Sequence, residues 1–163
     1  MKDLSDDRPA AAVQPESELM PPGTAEMKSS VLHLTVSQLD EMIAHCLRAY
    51  PEEGCGLLTG HATTGTVAKI QPTRNVAASA QVYTVDPAEH LRIDRAAEAE
   101  GNSVIGVFHS HTHTDPCPSP TDVSQAPDPS WHYVLVSLRQ EVASVRSYRI
   151  IGEEVAEEPI EVH

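Results

Sequence analysis

Fifteen consecutive residues, Phe108-His109-Ser110-His111-Thr112-His113-Thr114-Asp115-Pro116-Cys117-Pro118-Ser119-Pro120-Thr121-Asp122, concentrate side chains that bind metals or move protons. His109 and His111 are two apart, and on a strand that spacing sends both imidazoles to one face. Such a pair is a natural beginning for a zinc site. Eleven residues beyond His111, Asp122 can return a carboxylate to the same place, along a path stiffened by prolines. Ser119-Pro120 has the form of a helix N-cap followed by Pro at the first helical position. Asp122 then sits in the first helical turn, aimed back at the strand end. Two histidines and one carboxylate leave the fourth tetrahedral position of a zinc ion open for water. Catalytic zinc sites keep that position open, whereas structural sites fill it, usually with Cys.

Water in such a site needs a base. Glu52 and Glu53 precede the apolar run Gly54-Cys55-Gly56-Leu57-Leu58, and a carboxylate at the mouth of a buried strand is costly unless it serves a site or stays wet. Ser119 offers a hydroxyl suited to an oxyanion. The neighbouring groups have plainer readings. His113, among polar residues past the strand end, reads as a solvated loop histidine, Cys117 as a loop thiol and Asp115 as a turn residue. Cys46 lies on an apolar helix face and belongs to the core, and Cys55 packs beneath the site. Arg74, Arg146 and Arg149 read as solvated, with Arg146 or Arg149 available to a substrate carboxylate. The glutamates after Glu153 read as a solvated tail.

The elements that must position these groups alternate in type. Residues 31–34 read as a short strand. Thr35 or Ser37 caps a helix on which Val36, Leu39, Ile43, Cys46, Leu47 and Tyr50 recur at helical spacing, and Pro51 ends it. Residues 55–60 form a buried strand, 66–76 a strand broken near Pro72, and 81–85 another short strand. Asp86-Pro87-Ala88-Glu89 is a helix start, with Asp as cap and Glu three residues on. That helix runs to about Glu100, stopped by Gly101. Residues 103–109 form an apolar strand and 110–130 a Pro-rich loop. Residues 131–138 and 142–151 pair as a hairpin around Arg139-Gln140. The order predicts a single mixed α/β (α+β) domain, a central mixed sheet flanked by two main helices.

Composition narrows the function classes. The 163 residues carry 11 Lys+Arg against 24 Asp+Glu, a net charge of -13. That acidity argues against a nucleic-acid partner, because phosphate contacts need clustered Lys and Arg. No apolar stretch approaches ~18 residues, so no membrane span is expected. Large metallohydrolase barrels need roughly 250 residues. Three cysteines, an odd number without CxxC, make no disulfide framework, and with no secretory signal pattern the expected location is cytoplasmic. Residues 1–30 hold four prolines, 3 basic and 6 acidic groups and few large apolar ones, which predicts a disordered tail. Residues 152–163 hold 5 Glu and no Lys or Arg; this acidic C-terminal extension carries Val155, Ile160 and Val162, enough for an edge strand. The folded domain is expected over 31–151.

The pattern His109-x-His111-x7-Ser119-x2-Asp122, with Glu53-x-Cys55-Gly56 upstream, resembles the motif of the JAMM/MPN+ zinc metalloprotease family. The likeness extends over most of 31–151, including Arg74-Asn75-Val76 and Tyr83-x-x-Asp86-Pro87. It implies a hydrolase of amide or isopeptide bonds after the C-terminal Gly-Gly of ubiquitin-like proteins. By that match His109, His111 and Asp122 hold one Zn2+ per chain, Glu53 is the general base, and Ser119 stabilises the oxyanion. Glu52 falls off the motif position. The short form and the wording around the histidines are similar to bacterial hydrolases that release cysteine from a sulfur-carrier protein, an activity of cysteine biosynthesis. Two departures, Thr112 after the second histidine and Cys117 two before the serine, bear on specificity more than on chemistry. The alternatives are a lysine isopeptidase for ubiquitin-like modifiers and a non-catalytic binding module of the same fold.

Overall fold

Six successive buried residues, 55–60, cannot belong to a strand with one wet face, and they mark the middle of the sheet. The computed structural model describes residues 30–163; the tail expected at 1–30 lies, but for Ser30, outside the described residues. Strands β1 (Leu32–Leu34), β2 (Cys55–His61), β3 (Thr66–Thr73), β4 (Ser103–His111), β5 (His132–Ser137), β6 (Ser144–Ile151), β7 (Glu154–Glu158) and β8 (Ile160–Val162) form one mixed sheet. Its order is β7-β6-β5-β4-β2-β3-β1-β8. Helices α1 (Val36–Ala49), α2 (Pro87–Ala99) and the short α3 (Pro120–Ser124) complete the chain.

Alternation along the central strands sorts side chains to two faces. Leu58, Phe108, Val134 and Val136 meet Met42 and Cys46 of α1. Leu57, Val107, Tyr133 and Leu135 meet Ile93 of α2. One helix therefore covers each face, and β2, β4 and β5 are buried on both sides. The ends of the strand order, β7 and β8, are separated by Pro159 alone. Eight flat strands at about 4.8 Å would span roughly 34 Å, so the sheet must curl until its edges meet.

Local signals set the helix ends. Thr35 caps α1: its hydroxyl accepts from the Gln38 N–H at 3.2 Å, and the Gln38 side chain accepts from the Thr35 N–H at 2.9 Å. Asp86 caps α2 by accepting from the Ala88 N–H, and Gly101 ends it with a φ of 76°. Glu89 does not close a capping box; its carboxylate accepts the Arg74 backbone N–H at 2.8 Å. The hairpin around 139–140 forms, with Tyr133 opposite Tyr148 and Ser137 opposite Ser144. No helix among the described residues is long and apolar enough to cross a membrane.

Three expectations need correction. Residues 81–85 are not a strand; only Val85 makes a bridge, to Asn75. The Asn75 amide takes over the backbone there: it donates to the carbonyls of Glu53 and Val82 and accepts from the N–H groups of Ala77 and Thr84. A side chain that satisfies backbone groups in this way replaces a ladder. Strand β4 runs past His109 to His111, because β5 continues parallel beside it with His111 opposite Ser137. The acidic end is no solvated tail, since it supplies an edge strand at each side of the sheet.

Within that end, Glu158 is buried. It accepts from Ser147 Oγ at 2.7 Å and Arg149 Nε at 2.9 Å, and it lies 2.6 Å from His132 Nδ1. Arg149 is therefore tied into the fold rather than solvated. Removing one partner of a buried pair leaves charge uncompensated, at about 3–5 kcal/mol. Chemical denaturation of Glu158→Ala is expected to show a loss of that order; a loss under about 1 kcal/mol would mean the network is decorative.

Candidate active site

The end of β4 delivers the first two groups. His109 and His111 lie on the α2 face, 3% and 5% exposed. The third arrives through a helix cap. Ser119 is the N-cap of α3: its Oγ accepts from the Asp122 N–H at 3.1 Å, while its own N–H donates to Asp122 Oδ2 at 2.7 Å. The box that starts the helix thus aims the Asp122 carboxylate at the strand end. Asp122 Oδ1 lies 3.2 Å from His109 Nε2, and Oδ2 lies 3.2 Å from His111 Nε2. The two Nε2 atoms are 3.2 Å apart.

These spacings, each histidine meeting a different Asp122 oxygen, are close to those a metal requires. Tetrahedral zinc with ligands at about 2.0–2.1 Å separates its donor atoms by about 3.3–3.4 Å. The donor chemistry agrees. His111 Nδ1 lies 3.0 Å from the Asp115 carbonyl, which only accepts, so Nδ1 carries the hydrogen and the Nε2 lone pair faces the triangle. That lone pair, His109 Nε2 and a carboxylate, packed together in a buried corner, call for a cation among them, a metal ion or a proton. The three side chains are a group that could hold a metal ion. Burial holds the His109 imidazole below its usual range, which favours the neutral form a metal needs. Burial also lowers His111, but its bonds to Asp122 and the Asp115 carbonyl outweigh that and leave it raised. Burial would raise Asp122, yet, with a proton there in place of a metal, hydrogen bonds from the two histidines hold it well below the usual carboxylate range. Tyr83 stacks on His109, with ring centres 4.2 Å apart.

Glu53 reaches the same corner from the neighbouring strand. Cys55 of β2 pairs antiparallel with His109, and the Ser110 N–H donates to the Gly54 carbonyl at 2.9 Å. Continuing that register puts Glu53 across from His111. Its backbone is fixed at both ends, the N–H by the Ser79 carbonyl at 2.8 Å and the carbonyl by the Asn75 amide at 3.0 Å. The side chain is buried, and burial pushes its carboxyl up to about 7, the His111 charge acting downward and Asp122 upward. Glu52 is exposed. Gly56, also in the motif, allows Phe108 to close over β2, since a Cβ there would lie 2.4 Å from its ring.

Glu53, Ala80, Gln81, His111, Thr112, His113, Thr114 and Ser119 line one open cleft of about 500 Å3. Three of the five motif residues, Glu53, His111 and Ser119, line the cleft, and His109 and Asp122 adjoin it through His111. Cys117 is the loop thiol expected, exposed and outside the cleft lining. Arg146, 3.6 Å from Glu157, and Arg149, bonded to Glu158, are outside it too. Asp115 is more than a turn residue: its carbonyl orients His111 and its carboxylate pairs with Arg139 at 2.9 Å. The surrounding loop is pinned by Ser137 Oγ donating to the Thr114 carbonyl and Tyr148 OH to the Pro116 carbonyl, both at 2.6 Å. Sequence reasoning missed these supports and the Asn75 hub, because backbone carbonyls carry no sequence signal.

A curled mixed sheet with this corner at the end of its central strands is the architecture of the JAB class. The chain belongs to the prokaryotic JAB-domain family, whose model, described as prokaryotic homologs of the JAB domain, matches residues 35–151. It is 38% identical over 133 residues to the CysO-cysteine peptidase of Mycobacterium tuberculosis, spanning 81% of this chain and 91% of that one. It is 37% identical over 116 residues to the desampylase of Haloferax volcanii, spanning 68% and 84% respectively. The solution structure of a protein from Desulfitobacterium hafniense is similar at a TM-score of 0.75 and 34% identity, over 81% of this chain and 92% of that one.

Proposed function

We propose that this protein is a zinc-dependent hydrolase. It cleaves the amide bond after the C-terminal Gly-Gly of a ubiquitin-like sulfur-carrier protein and releases cysteine. The observation that carries the reading is the buried Glu53 sharing one cleft with Ser119 and with His111, the residue that His109 and Asp122 join in a group able to hold a metal ion. The likeness to a CysO-cysteine peptidase supports the leaving group.

In this reading His109, His111 and Asp122 hold the metal. A bound zinc ion supplies Lewis-acid chemistry, lowering the pKa of water from 15.7 toward about 7 and polarising a carbonyl. Glu53 takes a proton from the attacking water as the water oxygen bonds to the glycyl carbonyl carbon. Its burial suits it to that task near neutral pH. Ser119 Oγ already accepts the Asp122 N–H, so its own hydrogen is free to donate to the developing oxyanion. The C–N bond then breaks, and Glu53 hands its proton to the leaving nitrogen. One amide and one water become a carboxylic acid and an amine.

The second reading, a lysine isopeptidase, is favoured by the desampylase likeness. Competition decides between them. Zinc-loaded protein, given equal amounts of a carrier-Gly-Gly-cysteine adduct and a carrier–lysine isopeptide, is expected to consume the cysteine adduct faster by mass spectrometry. Faster cleavage of the isopeptide would promote the second reading.

A further inference from the structure

Beside Glu53 the sheet gives out on one side. The β2–β3 register ends with Cys55 opposite Thr73, and continued by two residues it would set Glu53 opposite Asn75. Asn75 leaves the ladder there, and its backbone bridges to Val85 instead. The Glu53 backbone, which precedes β2, must find other partners, because a buried N–H or carbonyl left unpaired is costly.

Segment 75–85 supplies them. Its ends are tied by the Asn75–Val85 bridge and by the Val76 N–H, which donates to the Thr84 carbonyl at 2.9 Å. A loop of this length with joined ends is a compact unit. It meets the site at several places. The Ser79 carbonyl accepts the Glu53 N–H at 2.8 Å. Ala80 and Gln81 line the cleft, and the Ala80 carbonyl accepts from the Thr112 hydroxyl at 3.4 Å. Tyr83 stacks on His109.

One side chain joins this loop to the base. The Asn75 amide nitrogen donates to the Glu53 carbonyl at 3.0 Å and to the Val82 carbonyl at 3.1 Å. Its oxygen accepts the N–H groups of Ala77 at 3.0 Å and Thr84 at 2.9 Å. Both donors and both lone pairs of the amide are engaged. The loop is wound tightly enough to hold Ala78 at a φ of 46°, a left-handed conformation that a residue with a side chain keeps only where its surroundings fix it. Asn75 is 9% exposed and is not part of the cleft lining, so it reaches the reaction through Glu53 rather than through the substrate.

We infer that Asn75 is a positioning residue for the base: its amide fastens the Glu53 backbone to the loop that forms the cleft wall, so that the carboxylate, the wall and the ring stacked on His109 keep one mutual placement. The inference rests on the hydrolase reading of the cleft. Misplacing a reacting group by about 1 Å costs up to roughly 10²-fold in rate, which sets the scale.

A double-mutant cycle with the base itself provides the test. Asn75→Asp keeps the shape and the acceptor for the Ala77 and Thr84 N–H groups and removes both donors. Asn75→Ala, which leaves space for water at the Glu53 carbonyl, is carried alongside. Each is made in the parent and in Glu53→Gln, loaded with zinc and assayed on a carrier-Gly-Gly-cysteine adduct, with bound zinc and Tm measured on the same samples. In the parent, Asn75→Asp is expected to lower kcat by about 10- to 100-fold, with KM little changed and zinc still at one per chain. In Glu53→Gln the same substitution is expected to change kcat by no more than about twofold, because a residue that acts through Glu53 has nothing left to position. An equal loss in both backgrounds marks a structural role and overturns the inference. A loss confined to KM overturns it too, since Asn75 would then shape the wall for binding, as does loss of the zinc. Where Tm shows Asn75→Asp to be unfolded at the assay temperature, Asn75→Ala decides; failure of both to fold makes Asn75 a part of the framework alone and overturns the inference. A parent that leaves the adduct intact, or a Glu53→Gln as active as the parent, overturns the underlying reading and the inference with it. A slow Glu53→Gln beside fully active Asn75 variants overturns the inference alone.

Discussion

Glu53→Gln is expected to lower turnover by about 10²–10⁴-fold, the usual cost of losing a general base, while zinc still binds at one per chain. The substitution keeps the size of a side chain that is 4% exposed and removes only its ability to take and return a proton. Metal content should persist because Glu53 is not one of the three residues whose donor atoms converge. A second readout separates this role from a structural one. In the metal-free protein burial raises the Glu53 carboxyl from 4.5 to about 7. Between those values the folded state binds more of this group's proton than the unfolded state, so the Glu53 contribution to stability is greatest below pH 4.5 and falls as pH rises through 7. The Gln variant lacks that contribution, and its denaturation midpoint should fall less between pH 5 and pH 8 than the parent's. A fully active Glu53→Gln would exclude Glu53 as the base. If Glu52→Gln is the inactive variant instead, the wrong glutamate carries the role.

His109→Ala and Asp122→Ala are expected to lose the metal and with it all measurable turnover. Losing an outer-shell partner of a metal ligand typically costs 10–100-fold in affinity, and loss of a ligand from a three-residue site should exceed that. Bound metal also stabilises the folded chain, by about 2.7 kcal/mol at a hundredfold excess over Kd. Added zinc should therefore raise the parent's Tm and leave both variants where they are. Asp122→Ala carries an additional cost of ~1 kcal/mol, because its carboxylate accepts the Ser119 N–H in the α3 capping box. Unchanged metal stoichiometry in both variants would remove these residues from the site.

Much of this corner was legible because its rules are short-ranged. The two-residue period of a strand pairs His109 with His111, and the Ser119-Pro120 cap orients Asp122; both operate within fifteen residues of chain. The same holds for the caps at Thr35 and Asp86 and for the hairpin at 139–140. Element order and hydrophobic period sufficed to expect a mixed sheet between two helices.

What lay beyond the sequence depended on atoms distant along it. Choosing Glu53 over Glu52 by position needs the β2–β4 register, which sets Cys55 opposite His109, and raising its carboxyl to about 7 needs the burial that packing supplies. Arg149 and Glu158 look solvated in a charged stretch, yet the pairing of β5, β6 and β7 brings them together with a buried His132. The 81–85 segment has strand composition, but the Asn75 amide satisfies its backbone instead. The sequence by itself determined which donors exist and how near neighbours along the chain face one another. The tertiary structure alone decided which charges lost their water, because desolvation is set by everything that packs around a group and local periodicity has no access to it.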